Sequence, residues 1–343
     1  MKSSNILYVF LIFIDFMINE NGDYEIKISK VNEEAEQIKR KKELYAYILY
    51  VVNQVIWALQ GLQLKSFFYF FSKDYDINSF VFYRHLGLCI AGYSSILYKK
   101  QNLKYPWEIE HRLWFYIRNI GIYICISTWM ASLEIFRLST CQILGGVGPF
   151  LTIIFSIIFL KEKFHSVYAY GIAICFFGST MIILNERKSE ISSEKNSSLN
   201  YIFLGSFYLI INVNLFSLGL IGQKFLCAEK LSPEAQTFYF GFYTTIIAGT
   251  FCVFNKDFKL SNILYCLYSL FNGIIFYICN YLNSVSFQDI EISKLQPVSY
   301  LSTVLVIIAS AVIFKENLYF TDVLGALMII GFIIYNGMFP PKS

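Results

Sequence analysis

The chain has 343 residues, of which 56% are apolar and only 15% are Asp, Glu, Lys or Arg. Soluble globular domains carry about 25% charged residues, so this chain has too few charges to cover a water-facing surface of its size. The composition therefore excludes a soluble enzyme, a disordered hub and a secreted disulfide scaffold. No basic stripe with interleaved aromatic residues is present, so nucleic acid is not an expected partner.

The positions of the cysteines indicate packing residues rather than metal ligands or catalytic groups. Most of the eight lie inside apolar runs, none forms a CxxC pair, and the chain has three histidines. We therefore expect no metal site and no cofactor, and we interpret the cysteines as small apolar packing residues. No nucleophile triad, phosphate-cradling glycine loop or Walker sequence is found, so we expect neither an enzyme nor an ATP-driven pump.

Residues 1–44 form an N-terminal arm that is distinct from the rest of the chain. The apolar run from Ile6 to Ile14 is too short to cross a bilayer, which needs about 20 residues. No small-x-small cleavage site follows it, which favours an uncleaved interfacial or anchor-like segment; a signal peptide over residues 1–18 is the alternative. The stretch from Glu20 to Glu43 is polar and of mixed charge, and indicates a solvated arm.

From Leu44 onward, apolar stretches long enough to cross a bilayer alternate with short charged breaks. Because only helices satisfy their own backbone hydrogen bonds inside lipid at this length, the pattern predicts an all-α integral membrane protein with ten transmembrane helices. We place them near residues 45–64, 77–98, 113–133, 139–160, 166–184, 201–223, 234–254, 262–282, 291–314 and 320–338.

An internal repeat divides these helices into two groups of five. A shift of 154 residues lays Lys161-Glu162 on Lys315-Glu316, each just after an apolar helix, and lays Gln142 on Gln296. An odd number of helices per repeat makes the second repeat enter the membrane from the opposite side, and inverted repeats are typical of transporters. Duplication without a transport role is the alternative. The predicted divisions are a first repeat at 45–184, a linker at 185–200, a second repeat at 201–338 and a tail at 339–343.

The distribution of positive charge predicts the orientation. Lysine and arginine are more numerous in the breaks on the N-terminal side of the membrane, which places both termini in the cytosol. The sequon at Asn196 then falls in an outer loop. Whether the membrane is the plasma membrane or that of an organelle stays open.

Polar side chains inside apolar segments are costly in lipid and tend to face a cavity or another helix. Gln142 and Gln296 occupy equivalent positions of the repeat, and Pro149 and Pro297 are the only prolines well inside apolar segments. Proline frees a backbone carbonyl and permits a kink, which a cavity or a neighbour can satisfy. Packing of small residues between helices is the alternative interpretation.

Further candidates lie in other segments. Trp57 could stack on a substrate or anchor at the interface. Arg84 could hold an anionic substrate or pair with a structural acid, and Lys294 could face the cavity or extend to the interface. The predicted substrate-cavity residues are Trp57, Gln60, Arg84, Gln142, Pro149, Lys294, Gln296 and Tyr300.

Three stretches resemble a known family. Leu138–Pro149 followed by Leu160–Lys163, and Ile292–Pro297 followed by Phe314–Glu316, are similar to the fourth helix and acidic end of an EamA domain. Phe82-Tyr83-Arg84 resembles the aromatic-arginine pattern of the second helix of that family. The resemblance points to the drug/metabolite transporter superfamily and implies ten helices in inverted repeats around a central cavity. Members that move nucleotide sugars tend to carry a Lys-Arg pair in the ninth helix, where Lys294 stands alone here.

These observations predict a multi-pass carrier that moves a small organic metabolite by alternating access. Segments 5 and 10 are expected at the periphery, where a second copy could pack to form a homodimer. A nucleotide-sugar or phosphate-ester antiporter is the first alternative. A receptor or assembly subunit that transports nothing is the second, and it predicts a filled interior without a pocket.

Overall fold

A computed structural model gives the fold and describes residues 24–71, 77–135, 141, 145–163, 170–171, 173–174, 176–177, 199–255, 263–314 and 320–338. The chain forms two compact units, Met1–Tyr45 and Ala46–Ser343. The described residues contain helices and turns and no strand. The helices are α1 Tyr24–Phe71, α2 Ile77–Lys99, α3 Arg112–Tyr116, α4 Ile122–Ile135, α5 Gly148–Phe155, α6 Leu199–Ala228, α7 Pro233–Asn255, α8 Ile263–Asp289, α9 Ile292–Leu295, α10 Tyr300–Phe314 and α11 Phe320–Met338.

The bounds of several helices follow the hydropathy pattern. Helices α2, α7 and α11 begin and end within one residue of the predicted segments, whereas α6 and α8 begin near the predicted position and extend five and seven residues beyond the predicted end. Helix α1 differs, because it begins at Tyr24, inside the stretch that we interpreted as a solvated arm. Most of the predicted segment at 166–184, and residues 185–198 after it, lie outside the described residues, so the count of ten helices stays a prediction.

Two predicted segments are irregular helices. The segment at 113–133 is α3 and α4 joined by a π-helical stretch, Ile117–Gly121. The segment at 291–314 is interrupted where Pro297 lies, because α9 ends at Leu295 and a 3-10 turn, Gln296–Ser299, leads into α10. A proline lacks the N–H that a regular helix needs, which explains the change of pitch. Pro149 lies at the start of α5, where a missing N–H costs little.

The structure exposes apolar side chains and buries polar ones. Four described helices are long and apolar enough to cross a membrane: Asn78–Lys99, Phe203–Ala228, Pro233–Asn255 and Ile263–Asp289. Phe203 and Phe254 are 74% and 78% exposed, whereas Asn53 and Gln223 are fully buried. Such a surface would aggregate in water and is stable in lipid, so the chain is an integral membrane protein.

Glycine brings α2 into backbone contact with α7 and α8, the helices against which it packs most extensively. A methyl group on Gly273 would lie 1.9 Å from the carbonyl oxygen of Arg84, and one on Gly87 would lie 2.3 Å from the carbonyl oxygen of Leu270. Gly241 of α7 meets the backbone of Cys89 in the same way, at 2.8 Å. Small residues at helix interfaces permit this close approach, which supplies van der Waals packing inside lipid.

The end of one helix caps the start of another. Glu162, just after the π-helical stretch Ser156–Leu160, accepts hydrogen bonds from the backbone N–H groups of Ile292 and Ser293, both at 3.0 Å. These N–H groups lie at the start of α9, where they have no partner within the helix. A carboxylate there also interacts favourably with the helix dipole. Glu162 therefore joins α9 to the C-terminal side of α5.

Replacing Gly273 by alanine is expected to destabilise the protein. Alanine ordinarily stabilises a helix relative to glycine, but here its methyl group must push α2 away from α8, at a cost of about 1–3 kcal/mol. The measurement is thermal unfolding of the protein in detergent. Gly331→Ala is the matched control, because a methyl group at Gly331 meets nothing within 4 Å. Equal stability of the two variants would contradict the close packing.

Replacing Glu162 by glutamine is expected to weaken the cap on α9. The amide keeps one acceptor oxygen, but it loses the charge and the second acceptor, so we expect a loss of about 1 kcal/mol. Thermal unfolding measures this loss, with Lys163→Gln as the neighbouring control. A Glu162→Gln protein as stable as the control variant would show that the two hydrogen bonds contribute nothing.

Candidate substrate cavity

A cavity of about 240 Å³ lies within the second unit, among helices from both halves of the sequence. Its polar lining residues come from seven elements: Gln54, Arg84, Arg118, Asn212, Asn280, Asn283, Gln296, Ser299, Ser302 and Thr303. Its aromatic lining residues are Tyr50, Trp57, Trp129, Phe216, Phe240, Phe276 and Tyr300. An apolar cavity with a few convergent polar groups is typical of a small-molecule site.

Two buried arginines face this cavity. Arg84 of α2 is 4% exposed, and Arg118 of the π-helical stretch is 5% exposed. The guanidinium carbon of Arg84 lies 4.0 Å from the centre of the Phe276 ring, and that of Arg118 lies 4.6 Å from the centre of the Phe240 ring. Cations above aromatic faces are attracted by the ring quadrupole. The two rings are neighbours, with centres 5.6 Å apart.

Arg118 is the start of a buried hydrogen-bond network. Its Nη2 donates to Oδ1 of Asn280 at 2.7 Å, which ties the π-helical stretch to α8. The Gln223 amide donates to the Asn280 carbonyl at 3.3 Å and to the Ser284 hydroxyl at 2.6 Å. Ser284 in turn donates to Gln236 at 3.4 Å. The network orders one wall of the cavity, because polar groups inside lipid have no water to replace a lost partner.

The interrupted helix forms another wall. Gln296 and Ser299, in the 3-10 turn, and Tyr300, at the start of α10, all line the cavity. The Tyr300 hydroxyl donates to the carbonyl of Gly146, in the turn before α5, and so satisfies a carbonyl that no regular helix would use. The Nε2 atom of Gln296 is buried and has no hydrogen-bond partner among the described residues.

The structure brings together five of the eight predicted cavity residues: Trp57, Arg84, Pro149, Gln296 and Tyr300. Gln60 is buried but does not line the cavity, and neither of its amide atoms has a partner among the described residues. Lys294 forms an ion pair with Glu291 at 3.2 Å and also lies away from the cavity lining. Gln142 lies outside the described residues.

The predicted cavity residues do not include Arg118 and Asn283, both of which line the cavity. Arg118 lies in the apolar segment at 113–133, and a charge inside such a segment is a functional signal in its own right. Like Arg84, it lines the cavity, but it does so from the π-helical stretch, which no hydropathy pattern predicts. Asn283 accepts a hydrogen bond from Asn53 at 2.5 Å, a pairing of α8 with α1 that only the packing reveals.

A helical membrane protein with a cavity between its two sequence halves, lined by apolar side chains and a few polar groups, has the architecture of a solute carrier. Residues 44–184 and residues 200–338 each match the EamA-like transporter family. The chain therefore belongs to this family, as the three stretches that resembled it had predicted, and its class is that of a transporter.

Two curated relatives extend this comparison. The S-adenosylmethionine uptake transporter of Rickettsia conorii (strain ATCC VR-613 / Malish 7) is 23% identical over 295 residues, which are 83% of this chain and 88% of the relative. That of Rickettsia prowazekii (strain Madrid E) is 23% identical over 296 residues, with the same coverage. One crystal structure of another protein superposes with a TM-score of 0.69 over 84% of this chain and 96% of that chain, at 13% identity, and supports the fold.

Replacing Asn280 by leucine is expected to destabilise the protein by about 1–3 kcal/mol, because the buried Arg118 loses its side-chain acceptor. The matched control is Asn214→Leu, since Asn214 donates only to the carbonyl of Ile210 on its own helix. Thermal unfolding in detergent compares the two variants. If they lose equal stability, the hydrogen bond between Arg118 and Asn280 does not order the cavity wall.

Proposed function

We propose that this chain carries a small organic metabolite across its membrane by alternating access through the central cavity. The observation that carries the proposal is the cavity itself, which is lined by polar and aromatic side chains and formed by both stretches that match the family. A receptor or assembly subunit without a transport role would have a filled interior. Exposure of a fixed site alternately to the two sides of the membrane is the mechanism that such an architecture serves.

S-adenosylmethionine is the first substrate to test. Both curated relatives carry this substrate in their names, and they align over most of this chain. The cavity offers what the molecule requires: aromatic faces for the adenine ring and donors for the carboxylate. Trp57 stands with its ring edge-on to Phe276, at 5.5 Å between ring centres, and to Phe216, at 6.4 Å. In this proposal Trp57 and Tyr300 contact the ring of the solute, and Gln296 donates a hydrogen bond through its unpartnered amide.

The orientation, the topology and a homodimer that packs through segments 5 and 10 belong to the same proposal. The two repeats are inverted, both termini face the cytosol, and the linker with Asn196 lies outside. Glycan attached at Asn196 would support this orientation, and protease cleavage of that linker from the cytosolic side would contradict it.

The test of transport uses purified protein in liposomes. Wild-type protein is expected to take up S-adenosylmethionine with saturation, and to exchange it faster when the same solute is present on the opposite side. Trp57→Ala removes a stacking face and is expected to raise the apparent KM about tenfold, because a stacking contact contributes about 0.5–1.5 kcal/mol beyond its buried area. Trp107→Ala is the control, since Trp107 lies exposed in the short 3-10 helix Pro106–Glu108 and does not line the cavity.

Three results separate the alternatives. Saturable exchange of S-adenosylmethionine supports the proposal and its first substrate. Exchange that is stimulated by a nucleoside monophosphate, with no uptake of S-adenosylmethionine, supports a phosphate-ester antiporter instead. No saturable movement of any member of a broad metabolite panel would contradict a transport role.

A further inference from the structure

The charges in the cavity are of one sign. Among the described residues that line it, Arg84 and Arg118 carry charge and no aspartate or glutamate is present. Within the described part of the chain, no salt bridge joins either arginine to a carboxylate. A cation inside a membrane protein is costly, and it ordinarily pairs with an opposite charge or marks a pathway for a solute or ion. Among the described residues, the two arginines therefore have no carboxylate that neutralises them.

The partners that the arginines do have are neutral. Arg84 rests on the face of Phe276, and its Nε is buried without a hydrogen-bond partner among the described residues. Arg118 rests on the face of Phe240 and donates to the amide oxygen of Asn280. A guanidinium has five N–H donors in a planar fork, so these contacts leave donors of both groups free to bind a ligand. Aromatic faces hold the planes in place without competing for those donors.

An anionic oxygen group is the ligand that completes this arrangement. Guanidinium binds carboxylate and phosphate with short, charge-assisted hydrogen bonds, often two in parallel. Such a group would also remove the cost of two uncompensated buried charges, which gives it an advantage over a neutral group of the same shape. Because Phe240 and Phe276 are neighbouring rings, both guanidinium groups border one aromatic wall that continues to Trp57.

We propose that Arg84 and Arg118 form an anion-binding subsite at one end of the substrate cavity, and that the transported solute carries a carboxylate or a phosphate group. This inference rests on the proposed transport function and names the substrate class within it. The aromatic wall receives the remainder of the solute, which is planar or apolar. A positive charge on the solute is unfavourable here, so S-adenosylhomocysteine, which lacks the sulfonium charge, binds at least as tightly as S-adenosylmethionine.

The test measures thermal stabilisation of the full chain in detergent, because a ligand that binds the folded state stabilises it by mass action. The probes form pairs that differ in one group. S-adenosylmethionine is compared with decarboxylated S-adenosylmethionine, which isolates the carboxylate, and with S-adenosylhomocysteine, which isolates the sulfonium charge. Adenosine monophosphate is compared with adenosine, which isolates the phosphate. Each pair is titrated against wild type, Arg84→Gln, Arg118→Gln and Arg84→Lys.

Binding is expected to select for the anionic group. In wild type, the carboxylate or the phosphate member of a pair has an apparent Kd at least tenfold lower than its partner. Arg84→Gln and Arg118→Gln each raise that Kd ten- to a hundredfold, which is the loss of one charge-assisted interaction. The Kd of adenosine, which carries no charge, changes far less than that of adenosine monophosphate. Arg84→Lys keeps the charge and recovers part of the affinity. Arg112→Gln, which alters an exposed arginine outside the cavity, has no effect.

Two other results would contradict the anion-binding subsite and leave the proposed transport function intact. One is equal stabilisation of wild type by both members of every pair, unchanged in the arginine variants. The other is stabilisation by none of the anionic probes while liposomes still take up a neutral or cationic solute. If the glutamine variants fail to fold, the Arg84→Lys protein and the wild-type selectivity decide the question. The proposed function itself fails only if the liposomes move no solute at all.

Discussion

The structure depends on one constraint: a polar group inside hydrocarbon has no water with which to form a hydrogen bond. Side chains that would cover the surface of a soluble protein are therefore turned inward here, where other polar groups meet them. Asn53 donates to Asn283, Gln223 to Ser284, and Arg118 to Asn280. These pairs join helices that are far apart in the sequence. The same requirement that holds the helices together thus concentrates polar chemistry at the centre of the bundle and leaves apolar side chains such as Phe203 and Phe254 on the outside.

Hydropathy predicts where the helices lie but not which of their faces meet. The bounds of α2, α7 and α11 follow from the apolar runs, because the length of a run is set by the thickness of the bilayer. The cavity residues are predicted less completely, since the rotation of each helix about its axis decides which of its side chains line the cavity. Trp57 and Gln60 are three positions apart on α1, yet Trp57 lines the cavity and Gln60 is buried elsewhere. Arg118 enters the cavity through a π-helical stretch, a local change of pitch that leaves no trace in the pattern of apolar residues.

One repeated motif has a physical explanation that the sequence alone could not supply. Lys161-Glu162 recurs as Lys315-Glu316, and in the sequence this recurrence indicates only a duplication. The structure shows what the first copy does: Lys161 turns the chain in a left-handed conformation, with φ 56°, and Glu162 then caps α9. The second copy lies outside the described residues. An acidic residue at this place is thus explained by the unpaired N–H groups of a neighbouring helix rather than by contact with a solute.

The glycine contacts of α2 bear on how the protein can move. Helices in contact through their backbones interlock at carbonyl groups, and they resist sliding more than helices separated by long, adaptable side chains. Helix α2 belongs to the first stretch that matches the family, whereas its close neighbours α7 and α8 belong to the second. The boundary between the two stretches of sequence is therefore not a mechanical boundary. A rearrangement that keeps these contacts must carry α2, α7 and α8 together as one body, with Arg84 fixed on it, and must hinge at interfaces that lack such glycines.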